Sequence, residues 1–111
     1  MTDLINPLEQ DILPAVLVDI TALPDTIAWR ANSGLLRSPD GKRRIRANIP
    51  GCGDVIGCRK SKGFAIETKT LTGTQRKTQE NFEKRWVAAG GIYIVARSAS
   101  EAVSKLTAAI P

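Results

Sequence analysis

Two hydrophobic periods alternate along this chain, and the switches between them outline its elements. Residues 6–23, NPLEQDILPAVLVDITAL, carry apolar side chains at helical spacing. Leu8, Ile12, Val16 and Leu23 fall near one stripe, with Asn6 as cap and Pro7 in the first turn. Pro14 sits awkwardly inside, because an interior proline removes a backbone hydrogen bond and kinks the helix. TIAWRAN (26–32) reads as a short strand. SGLLRSPDGK (33–42) is turn-rich, with Pro-Asp-Gly as its signal, and RRIRANI (43–49) alternates basic with other residues as a strand does. DVIGCRK (54–60) and GFAIETKT (63–70) are two strands joined by a tight turn. TGTQRKTQENFEKRWVAAGG (72–91) is a helix with Thr74 near its cap and Gly90-Gly91 as its stop. IYIVARS (92–98) is a buried strand, and SASEAVSKLTAAI (98–110) closes the chain as an amphipathic helix. The expected order is α-β-β-β-β-α-β-α, an α/β domain spanning residues 1–111 with a hairpin at its centre.

That hairpin puts Glu67 and Lys69 where apolar residues belong. Side chains alternate across a strand, so the two share a face. A two-residue loop at 61–62, or a four-residue loop at 60–63, sets Asp54 opposite Lys69 with Glu67 diagonal to it; a three-residue loop breaks that pairing. Val55, Phe64 and Ile66 then fall on the other face as core. Ile56 and Ala65 lie further along the charged face, so the charges meet only at the open end of the hairpin. Two carboxylates and an ammonium at one rim of an apolar sheet have two readings. One is a cross-strand ion pair with a spare acid. The other is a metal site, since a hard cation such as Mg²⁺ takes one or two carboxylates and completes its shell with water and phosphate oxygens. Held by Asp54 and Glu67, such an ion would polarise a phosphodiester and acidify a bound water, with Lys69 placed to orient that water or to stabilise developing charge.

Composition narrows the setting. At 111 residues, 42% hydrophobic and 24% charged, the chain has ordinary globular proportions. No run of eighteen apolar residues and no basic, apolar leader is present, so neither a membrane span nor a secretion signal is expected. Cys52 and Cys58 stand in a chain without histidine, which excludes the usual zinc frameworks. They read as small buried residues or bystanders in a reducing cytoplasm, an oxidised pair being compatible but not required. Charge is uneven: residues 1–25 hold Asp3, Glu9, Asp11, Asp19 and Asp25 and no basic residue, while the rest of the chain carries a net +10. The basic residues cluster in RSPDGKRRIR (37–46) and RKSK (59–62). Such a surface suits a polyanion, above all nucleic acid, or else is a solvated basic face.

Taken together, these segments resemble the virus-type replication-repair nuclease (VRR-NUC) domains, a branch of the PD-(D/E)xK superfamily. The resemblance runs from LEQDIL to SASEAV. WRANSG is similar to the family's Arg-x-Asn-x-Gly segment, GCGD stands where the family has Gly-x-Pro-Asp, and FAIETKT is similar to its Glu-x-Lys strand. KTQENFEKRWVAAGGIYIVARS resembles the glutamine-containing helix, the Ala-Gly-Gly break and the strand that follows. Gly53 replaces the motif's proline, which loosens the turn without removing a ligand.

The resemblance implies a restriction-endonuclease-like mixed sheet with flanking helices. It implies Asp54, Glu67 and the backbone carbonyl of Thr68 as ligands of Mg²⁺, for which Mn²⁺ substitutes, with Lys69 as the catalytic lysine. Gln79 matches the helix glutamine that points into the site; at helical spacing it lies on the Phe82–Trp86 side, where a polar residue needs a partner. Glu9 matches a first-helix glutamate that approaches the metal, although Asn6-Pro-Leu-Glu9 is also a capping box. Arg30 and Asn32 would face DNA phosphates, Arg30 being equally readable as a surface strand residue. Lys42, Arg43, Arg44 and Arg46 are the remaining DNA-binding candidates.

The expected activity is metal-dependent endonucleolytic cleavage of branched or junction DNA, such as a Holliday junction, in replication, repair or recombination. The setting would be a bacterial cytoplasm or a phage-infected host, with no membrane and no nucleotide cofactor. A homodimer is expected, because one site cuts one strand and stand-alone members of the family resemble symmetric junction-resolving enzymes. The acidic, apolar first helix would be its interface. The rivals are a nuclease fold kept as a non-catalytic DNA-binding module and an RNA-directed nuclease.

Overall fold

A computed structural model describes residues 9–31, 35–46 and 49–111, and at positions 9, 10, 35, 36, 45 and 46 the backbone alone. Helix α1 (Glu9–Thr21) is followed by strands β1 (Thr26–Arg30), β2 (Leu35–Arg37), β3 (Arg44–Arg46), β4 (Val55–Arg59) and β5 (Lys62–Thr68). Helix α2 (Lys77–Ala88), strand β6 (Ile92–Ala96) and helix α3 (Ala99–Ala109) complete the chain. Four strands form a mixed sheet in the order β1-β4-β5-β6. The first two pairings are antiparallel, and β5 runs parallel to β6, with α2 as the crossover between them. The protein is thus a small α/β domain of three helices around a four-stranded mixed sheet.

The expected order lacked one strand. Leu35–Arg37 pairs antiparallel with Arg44–Arg46 in a separate two-stranded ribbon. The Pro-Asp-Gly turn was correctly placed, but its leading flank is extended rather than irregular. Asp40 closes the turn, accepting at Oδ1 from Ser38 Oγ and from the Lys42 N–H. Ser38 Oγ in turn accepts from the Arg43 N–H at 3.0 Å.

The central hairpin turns at Lys60-Ser61, both with positive φ (48° and 67°), and pairs Arg59 with Lys62. Positive φ at both central residues gives the turn the hand that matches twisted strands, although neither residue is the usual Asn or Gly. The loop lies one residue earlier than the sequence led us to expect, which moves the register by two. Because the side-chain period is also two, every residue keeps its expected face and only its partner changes. Val55 pairs with Ile66, so one step further Asp54 falls beside Glu67, not opposite Lys69.

Phe64, Ile66, Val55, Ile94 and Ala96 form the sheet's contribution to the main core. Ile12, Val16 and Ile20 of α1, at spacing four, and Ala102, Leu106 and Ile110 at α3 close over them. Pro14 is accommodated within α1 on its exposed side. Leu23 packs at the edge of this core, whereas Leu8, Asn6 and Pro7 lie outside the described residues. The other sheet face carries a smaller cluster, Ala31, Cys52, Ala65 and Phe82, with Trp86 and Tyr93 packed against it under α2. Cys52 is buried, Cys58 is exposed, and both are free thiols. Among the described residues no helix is long and apolar enough to cross a membrane.

Candidate functional site

The sheet's smaller-cluster face ends in polar residues where β5 leaves the ladder. Two glycines shape the loop that approaches this point. Gly51 has φ +79°, and a Cβ there would lie 2.2 Å from the Thr78 carbonyl, so the loop is pressed against the first turn of α2. Gly53 has φ +98°, a value closed to proline.

Asp54 follows directly. Its N–H donates to the Ile66 carbonyl at 2.8 Å and its carbonyl accepts from the Ala31 N–H at 2.8 Å, which ties it to β5 and to the end of β1. Its Oδ2 accepts from both the N–H and the hydroxyl of Thr68, at 2.8 and 2.7 Å. Both bonds fall on one oxygen, and the carboxylate is oriented by them with its second oxygen left as a potential ligand.

Glu67, Lys69 and Gln79 are buried at 4%, 7% and 7% exposure. Lys69 Nζ lies 3.6 Å from Glu67 Oε2, and Gln79 Nε2 donates to that same oxygen at 2.7 Å. Gln79 Oε1 meanwhile accepts from the Arg76 N–H at 2.7 Å, satisfying a donor at the start of α2. One side chain both caps the helix and holds the glutamate, and the two bonds fix which end of the amide is which. Lys69 is extended from the sheet by its own N–H, which donates to Ala96 at 3.0 Å. Arg97 fixes the loop beyond it, donating through one guanidinium nitrogen to the Thr70 and Gly73 carbonyls.

Asp54, Glu67, Lys69 and Gln79 line one cavity of about 160 Å³, with Gly51, Cys52, Gly53, Arg76 and Thr78 as its other walls. The start of α2 borders it, and a helix N-terminus favours anions. Burial pushes the Cys52 thiol up from its ordinary pKa, with Glu67 and then Asp54 adding to the rise. Burial also raises Tyr93, against a smaller pull from Gln75 and with Glu67, Glu83 and Asp54 reinforcing it. Among the described residues no group forms a well-made hydrogen bond to the buried Tyr93 hydroxyl.

Whether this donor set suits a hard divalent cation can be judged from its chemistry. Among the described residues no three or more His, Cys, Asp or Glu gather as a metal cluster. Two carboxylates do line the cavity, and Mg²⁺ characteristically takes only one or two, the rest being water and phosphate. The set fits. The sequence-named residues Asp54, Glu67, Lys69 and Gln79 thus come together, and Thr68 stands between them as the anchor of Asp54. Glu9 opens α1, but its side chain lies outside the described residues. Arg30, Lys42, Arg43 and Arg44 are exposed; Asn32 and the Arg46 side chain lie outside the described residues.

Two of the three basic residues of the second cluster have another use. Arg59 is 6% exposed and donates to the carbonyls of Ile110 and Pro24 and to the Thr26 hydroxyl. Lys60 Nζ donates to the Pro111 carbonyl at 2.7 Å. Both fasten the chain's end to the hairpin, so charge counting overstated the surface left for a polyanion. Conversely, Arg76 and Arg97 went unnoticed in the sequence. Arg76 would have been found had the helix start been placed at its true N-cap, two residues beyond Thr74. No family model matches the chain, and neither a curated protein nor a solved structure does.

Proposed function

We propose that this protein is a Mg²⁺-dependent endodeoxyribonuclease of the VRR-NUC type, with a restriction-endonuclease-like core and a preference for branched or junction DNA. The observation that carries the reading is the buried Glu67–Lys69–Gln79 group sharing one cavity with the anchored Asp54. A buried ion pair is weak evidence for stability, because its desolvation offsets most of its attraction. Its place beside a second carboxylate at a strand end is better accounted for by chemistry.

Asp54 and Glu67, with the Thr68 carbonyl, would hold the ion, and Glu9 is the further candidate. When bound, the ion supplies Lewis-acid polarisation of a phosphodiester and a more acidic water. Gln79 keeps Glu67 oriented, Lys69 supplies positive charge where charge develops on the phosphate, and the start of α2 draws the anion in. Arg30, at the end of β1 next to the residue bonded to Asp54, and Lys42, Arg43 and Arg44 on the ribbon would hold flanking phosphates. α1 carries Asp11 and Asp19 on its exposed side together with Val18, 66% exposed. That side suits a second copy better than DNA and would make the enzyme a homodimer.

Linear, flapped and four-way-junction DNA incubated with and without Mg²⁺ or Mn²⁺ tests the reading. Cleavage of the branched substrates is expected only with metal. Metal-independent cutting, or no cutting of any substrate by the folded protein, would overturn it.

A further inference from the structure

A second cavity adjoins the first. It has a volume of about 370 Å³ and shares Thr78 with the polar cavity, and its Pro50 leads directly into Gly51 of that cavity's wall. Its character is different. Phe82 and Trp86 are stacked, with centroids 5.4 Å apart and 22° between their planes. The Trp86 indole N–H is held by the Ile92 carbonyl at 2.9 Å, so the aromatic wall is fixed in advance of any ligand. Ile49, an apolar side chain left 61% exposed, lines the same cavity. Among the described residues its polar side chains are Thr78, Asn81 and Arg85, along the exposed side of α2. An apolar, aromatic recess with a few polar groups, of about 300–1,000 Å³, is the usual form of a small-ligand site.

We propose that this groove holds an unstacked nucleobase adjoining the phosphate bound in the Asp54–Glu67 cavity. The assignment rests on the nucleic-acid reading of that neighbouring cavity and names the kind of strand it takes. A base offers a flat apolar face to Trp86, which Phe82 backs from the core, and to Ile49, and hydrogen-bonding edges to the Asn81 amide. Its phosphate falls within the field of Arg85. Stacking on side chains requires a base released from the duplex, which a flap, a junction or a single strand provides and an intact duplex does not. The groove therefore selects structure without reading sequence, because every base has such a face.

The test uses the whole protein in EDTA, so that binding is read without cleavage. Its affinity for a short single-stranded oligonucleotide is compared with that for an abasic strand of the same length and charge. The base-bearing strand should bind about 5- to 100-fold more tightly. The double variant Ile49→Ser/Asn81→Ala, which alters two exposed residues and no charge, should lose most of that preference while binding the abasic strand as the wild type does. Equal affinity for the two strands, no affinity for either, or a preference that survives in the double variant would overturn the groove assignment. Junction cleavage in Mg²⁺ is scored separately: its absence would sink the nuclease reading and leave the base preference standing.

Discussion

The two faces of the sheet are built for different ends. Against α1 and α3, alternate residues of β4, β5 and β6 build an apolar core in which Phe64, Ile66, Val16, Ile20 and Leu106 are wholly buried. Against α2, the same strands present Ala65 and then Glu67, followed by Lys69 just past the strand's end, and α2 answers with Phe82 and then Gln79. One strand thus serves a dry core on one side and a polar site on the other. The first face supplies stability through area removed from water. The second keeps buried charge that contributes little to stability. On this domain the cost of a mutation should therefore depend on which side of β5 it touches, in kind as well as in size.

The largest effects should separate the two faces cleanly. Leu106→Ala removes a wholly buried side chain from the dry face and should cost about 2–5 kcal/mol, a large part of what a domain this small possesses. Cleavage by the fraction that stays folded should be unchanged. Asp54→Asn should do the opposite. The amide keeps an acceptor for Thr68, so urea unfolding should shift little, while metal-dependent cleavage should fall by at least about 100-fold. If Asp54→Asn unfolds the protein but leaves its specific activity intact, the polar face is structural and the contrast fails.

How far the sequence foretold this division can be traced through particular residues. The dry face was legible because period two in β5 and spacing four in α1 each name their buried side. The face of Glu67 and Lys69 was legible for the same reason and survived a misplaced loop, since a shift of two residues preserves parity. Their partners were not legible. Lys60-Ser61 has neither the Asn nor the Gly that usually marks such a turn, so the register depended on a left-handed pair that composition does not signal. The dual role of Gln79 was half legible, since its place on the apolar stripe demanded a partner, but the cap it forms depends on a helix start at Arg76. Arg59 shows the converse, a charge read as surface that proves to be a buried clasp, because its acceptors are backbone carbonyls from distant segments.

Gln79, which joins α2 to Glu67, should give the next largest effect. Gln79→Leu strips both the bond to the Arg76 N–H and the donor to Glu67, and should cost about 2–3 kcal/mol. Gln79→Glu keeps the shape and an acceptor for the cap. It replaces the donor with a second carboxylate against Glu67, so it should be no milder. Thermal or urea unfolding of the two variants decides the matter. A loss below about 0.5 kcal/mol for Gln79→Leu would show that neither bond matters to the fold.

Tyr93 offers a smaller gain on the same face. A buried hydroxyl without a good partner carries a desolvation cost, and removing it returns that cost. Tyr93→Phe should therefore raise stability by about 1 kcal/mol, seen as a higher urea midpoint at unchanged slope. A lower midpoint would mean that the hydroxyl is hydrogen-bonded in solution and belongs to the polar network around Glu67.

The smallest expected effect lies where the two faces are joined. Arg97 stands between β6 and α3; its guanidinium holds the loop after Lys69, and its backbone N–H is held by Glu101 of α3. Ser98 Oγ accepts from the Glu101 N–H at 3.1 Å, and Lys105 lies 3.4 Å from the Glu101 carboxylate. The Arg97 N–H, with Lys105 assisting and partial burial opposing, holds the Glu101 carboxyl below the ordinary glutamate value. A folded-state pKa below the unfolded one means that the carboxylate stabilises the protein above the ordinary value and that this contribution disappears as pH falls through the depressed one. Glu101→Gln keeps an acceptor but loses the charge. Its deficit near neutral pH should stay below about 1 kcal/mol, because the pair with Lys105 is half exposed, and should vanish in acid as the two proteins converge. Urea midpoints measured across that pH range test the convergence. Cleavage near neutral pH should be unaffected, since the loop beside Lys69 hangs from the guanidinium of Arg97 and not from its backbone. A deficit that persists in acid would assign the role of Glu101 to packing at the head of α3 instead of to its charge.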